Sequence, residues 1–165
     1  MKNFIFTFIL FTFLLTVNAA QFQLNKRAIT FQVCSPDFTS EFVNATIGTD
    51  PPKAGNPESF NVSGTLTKCN ITKGQTFLRI GYTDFSIKPI GDYYVQNFTD
   101  NFKVGTPFMI SASNVPTPQQ LPGQYIIVVD VGDPTRDPNK PVIFGCAFAV
   151  IGGSSEEFFD IYKLI

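Results

Sequence analysis

Apolar and polar residues alternate with a period of two along much of the chain, and this pattern limits the possible folds more than any other feature. Every second residue is apolar around Val43, Ala45 and Ile47, and again around Phe60 and Val62. Because successive side chains of a β-strand point to opposite faces of a sheet, this spacing predicts strands with one buried face. In both segments the asparagine of an Asn-x-Ser/Thr sequon falls on the opposite face, so two independent signals agree.

Further runs of this kind are separated by short segments rich in Gly, Pro, Asn and Asp, which favour turns. The pattern that starts at residue 78 changes phase near Thr83 and Asp84, and a slip of one residue indicates a β-bulge. Seven or eight short strands with regular turns and no convincing long helix predict an all-β antiparallel sandwich. The remaining predicted strands lie within residues 93–98, 108–112, 124–131 and 142–151.

The N-terminal residues 1–20 are predicted to be a secretory signal peptide. Lys2 precedes an uninterrupted uncharged run from Phe4 to Val17, and small residues follow at the position that a signal peptidase reads. The run falls short of the roughly 20 residues that a membrane-spanning helix needs. We therefore expect a domain at residues 21–153 that is secreted or held in a vacuolar or lysosomal lumen.

Four Asn-x-Ser/Thr sequons agree with a secretory route. Each sequon is a weak signal alone, but four behind a signal peptide predict N-glycosylation and mark surfaces that face water. The asparagines of these sequons are Asn44, Asn61, Asn70 and Asn97.

Three cysteines predict one disulfide and one free thiol, because they cannot all pair within one chain. They are Cys34, Cys69 and Cys146, and their spacing alone leaves every pairing open. A bond between the first and the last would close a loop of over a hundred residues, worth about 4 to 5 kcal/mol in the chain-entropy model. A zinc site would need more ligands than the chain offers.

The composition argues against several classes of function. Histidine is absent, which removes Ser-His-Asp and Cys-His catalysis and histidine metal sites. The formal net charge of −1 provides no basic surface for nucleic acid. We find no motif for a catalytic site, a phosphate-binding loop, a metal or a cofactor, and therefore expect a protein that is not an enzyme.

Two groups of acidic residues have more than one interpretation. Asp130, Asp133 and Asp137 are compatible with a calcium cluster, but a solvated loop is the preferred interpretation. Glu156 and Glu157 are compatible with a carboxylate pair for glycoside hydrolysis. Adjacent residues point in different directions, however, and the start of a helix explains this pair better.

The tail at residues 154–165 carries the only helical pattern. Ser154 and Glu157 have the spacing of a capping box, and apolar residues follow at helical intervals. A helix of about ten residues is marginal unless it packs on something. We therefore expect a short helix docked on the domain, with a membrane-reading segment as the alternative.

The apolar content allows two arrangements of the space between the predicted sheets. Phenylalanine occurs 19 times, and these side chains either fill a solid core or line a cavity between splayed sheets. An apolar cavity with few polar groups suits an acyl chain or a sterol. Composition does not distinguish a full core from a hollow one.

Several motifs resemble those of one protein family. Residues 47–55, IGTDPPKAG, resemble the turn after the first strand of fungal ML-domain proteins, and two further motifs, VSGT and ITKG, follow in the same order. Residues 115–128 resemble the Pro-Gly-x-Tyr step of that family, and a final strand contains Cys146. The similarity covers roughly residues 30 to 151, and its specificity lies in the order and spacing of the motifs.

The ML family is the lipid-recognition fold of phosphatidylglycerol/phosphatidylinositol transfer proteins and of the Niemann–Pick-type sterol carrier. The resemblance implies an immunoglobulin-like antiparallel β-sandwich of seven to eight strands with an apolar cavity between the sheets. It also implies one bound phospholipid or sterol, lipid transfer between membranes through transient contact with their surfaces, and a disulfide between Cys34 and Cys146. We expect a monomer without cofactor or nucleic-acid partner.

Strand phase selects candidate lipid-binding residues for such a cavity, although the strand after residue 124 is apolar on both faces and gives little phase information. The predicted lining residues are Phe60, Val62, Leu66, Leu78, Ile80, Tyr82, Phe108, Ile110, Tyr125, Ile127, Phe144 and Phe148. The alternative function is a secreted immunoglobulin-like module with a solid core that binds protein or carbohydrate at its surface.

Overall fold

The computed structural model describes residues 28–34, 40–137 and 140–153. The predicted signal peptide and the predicted helical tail lie outside the described residues. Within them the structure is all-β, and no helix is long and apolar enough to cross a membrane. The strands are β1 (Gln32–Val33), β2 (Glu41–Phe42), β3 (Asn44–Ile47), β4 (Glu58–Thr65), β5 (Phe77–Thr83), β6 (Tyr94–Asn97), β7 (Pro107–Val115), β8 (Tyr125–Asp133) and β9 (Val142–Ile151).

These strands form two sheets that face each other. The larger sheet has the order β1-β9-β8-β5-β6, with β2 pairing in parallel along β9, and the smaller sheet has the order β3-β4-β7. All other strand pairs are antiparallel. Neighbours β4 and β7 lie in one sheet while β5, β8 and β9 lie in the other, which is the arrangement of strands B and E against C, F and G in immunoglobulin-like sandwiches. The predicted all-β sandwich is therefore confirmed.

The strand count is nine rather than seven or eight, because two strands have only two residues each. Such short segments are too brief to show an alternating pattern. Between β2 and β3 the chain passes from the larger to the smaller sheet at Val43, whose side chain is fully buried. The single run predicted around Val43 is thus two strands in different sheets.

The disulfide joins Cys34 to Cys146, as the family resemblance implies. The two Cα atoms are 5.7 Å apart, and the bond ties the segment after β1 to the middle of β9. Cys69 is a free thiol and is partly buried.

The predicted bulge near Thr83 is wrong, because β5 ends at that residue. The Asp84 carboxylate accepts hydrogen bonds from the backbone N–H groups of Ser86 and Lys88, both at 2.9 Å, and so stabilises a tight turn. Bulges occur instead between β4 and β7 and between β8 and β9. The second of these changes which side chains of β9 face the core.

The outer face of the larger sheet carries two local structures. Arg79 donates to Oδ2 of Asp130 from Nε at 2.9 Å and from Nη2 at 2.5 Å, and its guanidinium lies 4.7 Å from the centre of the Tyr93 ring. Nearby, the buried side chains of Ile126 and Phe148 form a small apolar cluster that is separate from the main core.

Candidate ligand site between the sheets

Ten of the twelve predicted lining residues lie in the main core between the two sheets. Their exposed fractions are at most 8%, and most are 4% or less. The phase guessed for the start of β8 is the observed one, since Tyr125 and Ile127 both face the smaller sheet. The ten residues are Phe60, Val62, Leu66, Leu78, Ile80, Tyr82, Phe108, Ile110, Tyr125 and Ile127.

The remaining two predicted residues are placed differently by the β-bulge in β9. Val131 pairs with Gly145 while Gly132 pairs with Ile143, so Phe144 is the extra residue and lies partly buried against the core. Beyond the bulge the alternation is shifted by one residue. The strand phase predicted for Phe148 is therefore wrong, because its side chain belongs to the cluster on the outer face.

Small residues instead face inward from β9. Ala147 and Ala149 occupy this face beside Val129 and Ile127 of the neighbouring strand. Strand phase misses them because the bulge precedes them and because alanine is a weak marker of a buried face. Other core residues outside the predicted set are Val43, Ala45, Ile71, Phe98, Ala112, Val115, Val129 and Val131.

The inter-sheet layer is closed by aromatic rings at one end, which we call the phenylalanine end. Phe98, Phe102 and Phe108 contact one another edge to face, with ring centres 5.7 to 6.2 Å apart. The backbones also come close here, since a β-carbon on Gly145 would lie 2.6 Å from Cγ1 of Val43. This end of the sandwich is therefore tightly packed.

Buried polar groups occupy the opposite end, which we call the tyrosine end and define by Tyr82, Tyr125, Glu58 and Thr117. The hydroxyl groups of Tyr82 and Thr117 are 3.2 Å apart and share a hydrogen bond. The ring of Tyr125 lies 6.1 Å from that of Tyr82. All four side chains are at least nine-tenths buried, so polar atoms terminate an otherwise apolar layer.

Two of these groups retain unused hydrogen-bonding capacity. The Glu58 carboxylate is 4% exposed and accepts one hydrogen bond, from the backbone N–H of Thr49 to Oε2 at 3.2 Å. The Tyr125 side chain is also 4% exposed, and its hydroxyl has no hydrogen-bond partner among the described residues. Buried polar groups are normally satisfied, so this pair needs an explanation.

Electrostatics at the tyrosine end are set by burial and negative charge. Burial raises the pKa of Tyr125 to about 12, and the neighbouring Tyr82, Glu58 and Asp50 raise it further in that order of importance. Burial also raises the pKa of Tyr82; the Thr117 hydrogen bond opposes this and Glu58 adds to it. In the part of the chain that the structure describes, no lysine or arginine contributes to either shift. The site is therefore acidic as well as apolar.

The sequons lie away from the tyrosine end. All four asparagine side chains are exposed. Asn44 and Asn61 project from the outer face of the smaller sheet, because the alternating residues Ala45 and Val62 face the core. Asn70 and Asn97 lie beside the phenylalanine end, where Asn70 Oδ1 accepts a hydrogen bond of 2.8 Å from the backbone N–H of Val104, and Asn97 Nδ2 donates to the Gly74 carbonyl at 3.3 Å.

The acidic residues considered for calcium are occupied separately. Asp130 is paired with Arg79 on the outer face of the larger sheet. Asp133 accepts hydrogen bonds from Thr76 Oγ1 at 2.7 Å and from the side chain of Gln75. Across residues 28–34, 40–137 and 140–153, no three Cys, Asp or Glu side chains are grouped so that they could hold a metal ion.

Comparison with known proteins leaves the assignment to these residues. No protein-family model matches the chain, and no curated protein matches it. The class defined by fold and site is a disulfide-bonded β-sandwich whose apolar inter-sheet layer ends in buried, incompletely bonded polar groups.

Proposed function

We propose that the protein binds one lipid molecule between its two sheets and transfers it between membranes, as a monomer and without covalent chemistry. One observation carries this proposal. The layer between the sheets is apolar along its length and ends in a few buried polar groups with hydrogen-bonding capacity to spare. Small-molecule sites have this composition, with apolar walls for affinity and a few polar groups for orientation.

The energetics favour an apolar ligand. Each CH₂ group removed from water contributes about 0.8 kcal/mol, so a single acyl chain or a sterol ring system supplies most of the binding free energy. The inward-facing Ala147 and Ala149 take little volume in the layer, and a ligand in our proposal lies against them. The resemblance to the ML family agrees with such a ligand.

The tyrosine end is the expected opening. The loops that cover it are residues 48–57 and 116–124, joined by a hydrogen bond of 2.9 Å from the Gly55 N–H to the Pro118 carbonyl. Glycans on the four sequons, which we also propose, would crowd the other end and the outer face of the smaller sheet. These two loops would then remain free to touch a bilayer and admit the lipid.

The disulfide is compatible with an oxidising compartment. We propose that the protein acts outside the cell or in a vacuolar or lysosomal lumen, after removal of the predicted signal peptide. In such a compartment its membrane contacts are with the luminal or outer leaflet.

The test combines extraction with a space-filling variant. The mature protein is extracted with organic solvent and the extract analysed by mass spectrometry, while transfer is followed between labelled vesicles. We expect one lipid per protein and measurable transfer. Ala149→Leu places a larger side chain in the layer and should reduce both, whereas Ala54→Leu, on an exposed turn, should change neither.

Failure has a clear form. A folded protein that yields no stoichiometric lipid and transfers none between vesicles overturns the carrier proposal. That result would favour the alternative, an immunoglobulin-like module with a solid core that binds its partner at the surface.

A further inference from the structure

The tyrosine end also carries information about the lipid's head group. This inference rests on the proposed function. We propose that the ligand is a lipid with an uncharged hydroxyl head, which donates a hydrogen bond to the Glu58 carboxylate and accepts one from the Tyr125 hydroxyl.

Glu58 supplies the acceptor. An ionised carboxylate has two oxygens and about four sites for hydrogen-bond donors. In this protein the carboxylate is 4% exposed, and the Thr49 N–H at 3.2 Å is its one donor among the described residues. Oε1 and the rest of the capacity of Oε2 are therefore available to a ligand donor.

Tyr125 supplies the donor. Its ring stands beside that of Tyr82, whose own hydroxyl is already engaged with Thr117. The Tyr125 hydroxyl has no such partner in the described chain. An alcohol can donate and accept at the same time, so a single hydroxyl head satisfies both Glu58 and Tyr125.

Charge argues against an anionic head. A phosphate placed at the tyrosine end would lie near the Glu58 carboxylate in a poorly hydrated site, where like charges repel strongly. The described lysines are exposed, and Arg79 is held by Asp130 on the outer face of the larger sheet. In the described structure no buried cation offsets that repulsion.

A cationic head fits less well than an alcohol. A quaternary ammonium group would be attracted to Glu58, but it has no lone pair to accept a hydrogen bond. The Tyr125 hydroxyl would then stay buried without a partner, which carries the desolvation cost of an unmade hydrogen bond. The alcohol is the one head of the three that pairs with both groups.

The experiment compares three lipids with the same acyl chains. Vesicles contain equal amounts of dioleoylglycerol, dioleoyl phosphatidic acid and dioleoyl trimethylammonium-propane, and the lipid recovered with the mature protein is quantified by mass spectrometry. We expect dioleoylglycerol to be enriched about tenfold over each charged lipid, the size of effect that one hydrogen bond to a charged group produces.

Two variants separate the roles of the two residues. Glu58→Gln removes the negative charge at similar size and should raise the recovery of phosphatidic acid relative to dioleoylglycerol about tenfold. Tyr125→Phe should weaken dioleoylglycerol binding without this gain. Asp92→Asn, an exposed carboxylate outside the site, should leave the ratio unchanged.

The possible results are distinguishable. Equal recovery of the three lipids, or enrichment of either charged one, overturns the head-group inference while the carrier function stands. An unchanged ratio in a folded Glu58→Gln variant also overturns it. If none of the lipids is recovered and none co-purifies from the expressing cells, the carrier function itself fails.

Discussion

Gly145 and Val43 mark the closest approach of the two sheets, because a β-carbon on Gly145 would lie 2.6 Å from Cγ1 of Val43. The chain passes between the sheets at Val43, and the bulge of β9 immediately precedes Gly145. The phenylalanine end is thereby fixed at a short inter-sheet distance. The tyrosine end, at the far end of the same layer, is the one with incompletely bonded polar groups.

Gly145→Ala is expected to destabilise the fold by overpacking the phenylalanine end. Added volume in a close-packed core costs about 1–3 kcal/mol, and here the new methyl group would meet the buried Val43. Gly123→Ala is the control, since a β-carbon there meets nothing within 4 Å. Urea denaturation gives the free energy of unfolding, and equal stability of the two variants would contradict the expected close contact.

Arg79→Ala is expected to lower stability by about 3 kcal/mol at neutral pH, because it leaves a buried charge without its partner. The Asp130 side chain is 6% exposed, and that of Arg79 is 21% exposed. Replacing both partners by apolar residues, as in Arg79→Met with Asp130→Leu, should recover most of the loss. A double variant as unstable as the single one would argue against this explanation.

The effect of Arg79→Ala should also depend on pH. Burial raises the pKa of Asp130, and Arg79 opposes this through its charge and its hydrogen bonds. A carboxyl group with a raised pKa in the folded state contributes stability below its unfolded pKa of about 3.9 and loses it as pH rises through the folded value. The stability gap between variant and wild type should therefore shrink as the pH is lowered, as measured by denaturation at a series of pH values. A constant gap would mean that the Asp130 charge is not involved.

The disulfide is expected to contribute about 5 kcal/mol to stability in the chain-entropy model, since it joins residues 112 positions apart. Replacing Cys34 and Cys146 together by alanine should remove this contribution and lower the unfolding midpoint in urea. Cys69→Ser should have a small effect, because that thiol is free. Thiol titration of the native protein under denaturing conditions should find one reactive cysteine, and three would contradict the pairing.

Tyr125 should make the fold less stable in strongly alkaline solution. Its pKa is raised to about 12 in the folded protein, from about 10 for an ordinary tyrosine. Stability gained by keeping the phenol neutral is complete below pH 10 and is lost as the pH rises towards about 12. Tyr125→Phe should lose less stability than wild type over this interval in denaturation experiments. Identical losses would show that Tyr125 is not buried as described.

Much of the fold was predictable because strand pleating is a local property. Residues Phe60 and Val62 alternate with polar neighbours, and the structure buries them and exposes Asn61 between them. The same reasoning failed at Phe148, where a bulge shifts the alternation. A bulge depends on how β8 and β9 pair, and nothing in the residues of β9 alone reveals it.

Glu58 was not anticipated as a site residue. A glutamate at the start of a strand normally faces water, and its local pattern contains no sign of burial. It becomes 4% exposed because β4 and β7 pair with a register shift between Glu58 and Phe60, opposite the positive φ of 58° at Asn114. The partner strand is about fifty residues away in the sequence.

The amino-acid sequence alone determined the all-β class, the buried faces of most strands and the exposed positions of the sequons, because these follow from neighbours one or two residues apart. The family resemblance added the cysteine pairing. Tertiary structure alone decided which polar groups are enclosed at the tyrosine end and which face of β9 meets the core. Those features depend on register between distant strands, where one extra residue exchanges the inner and outer faces.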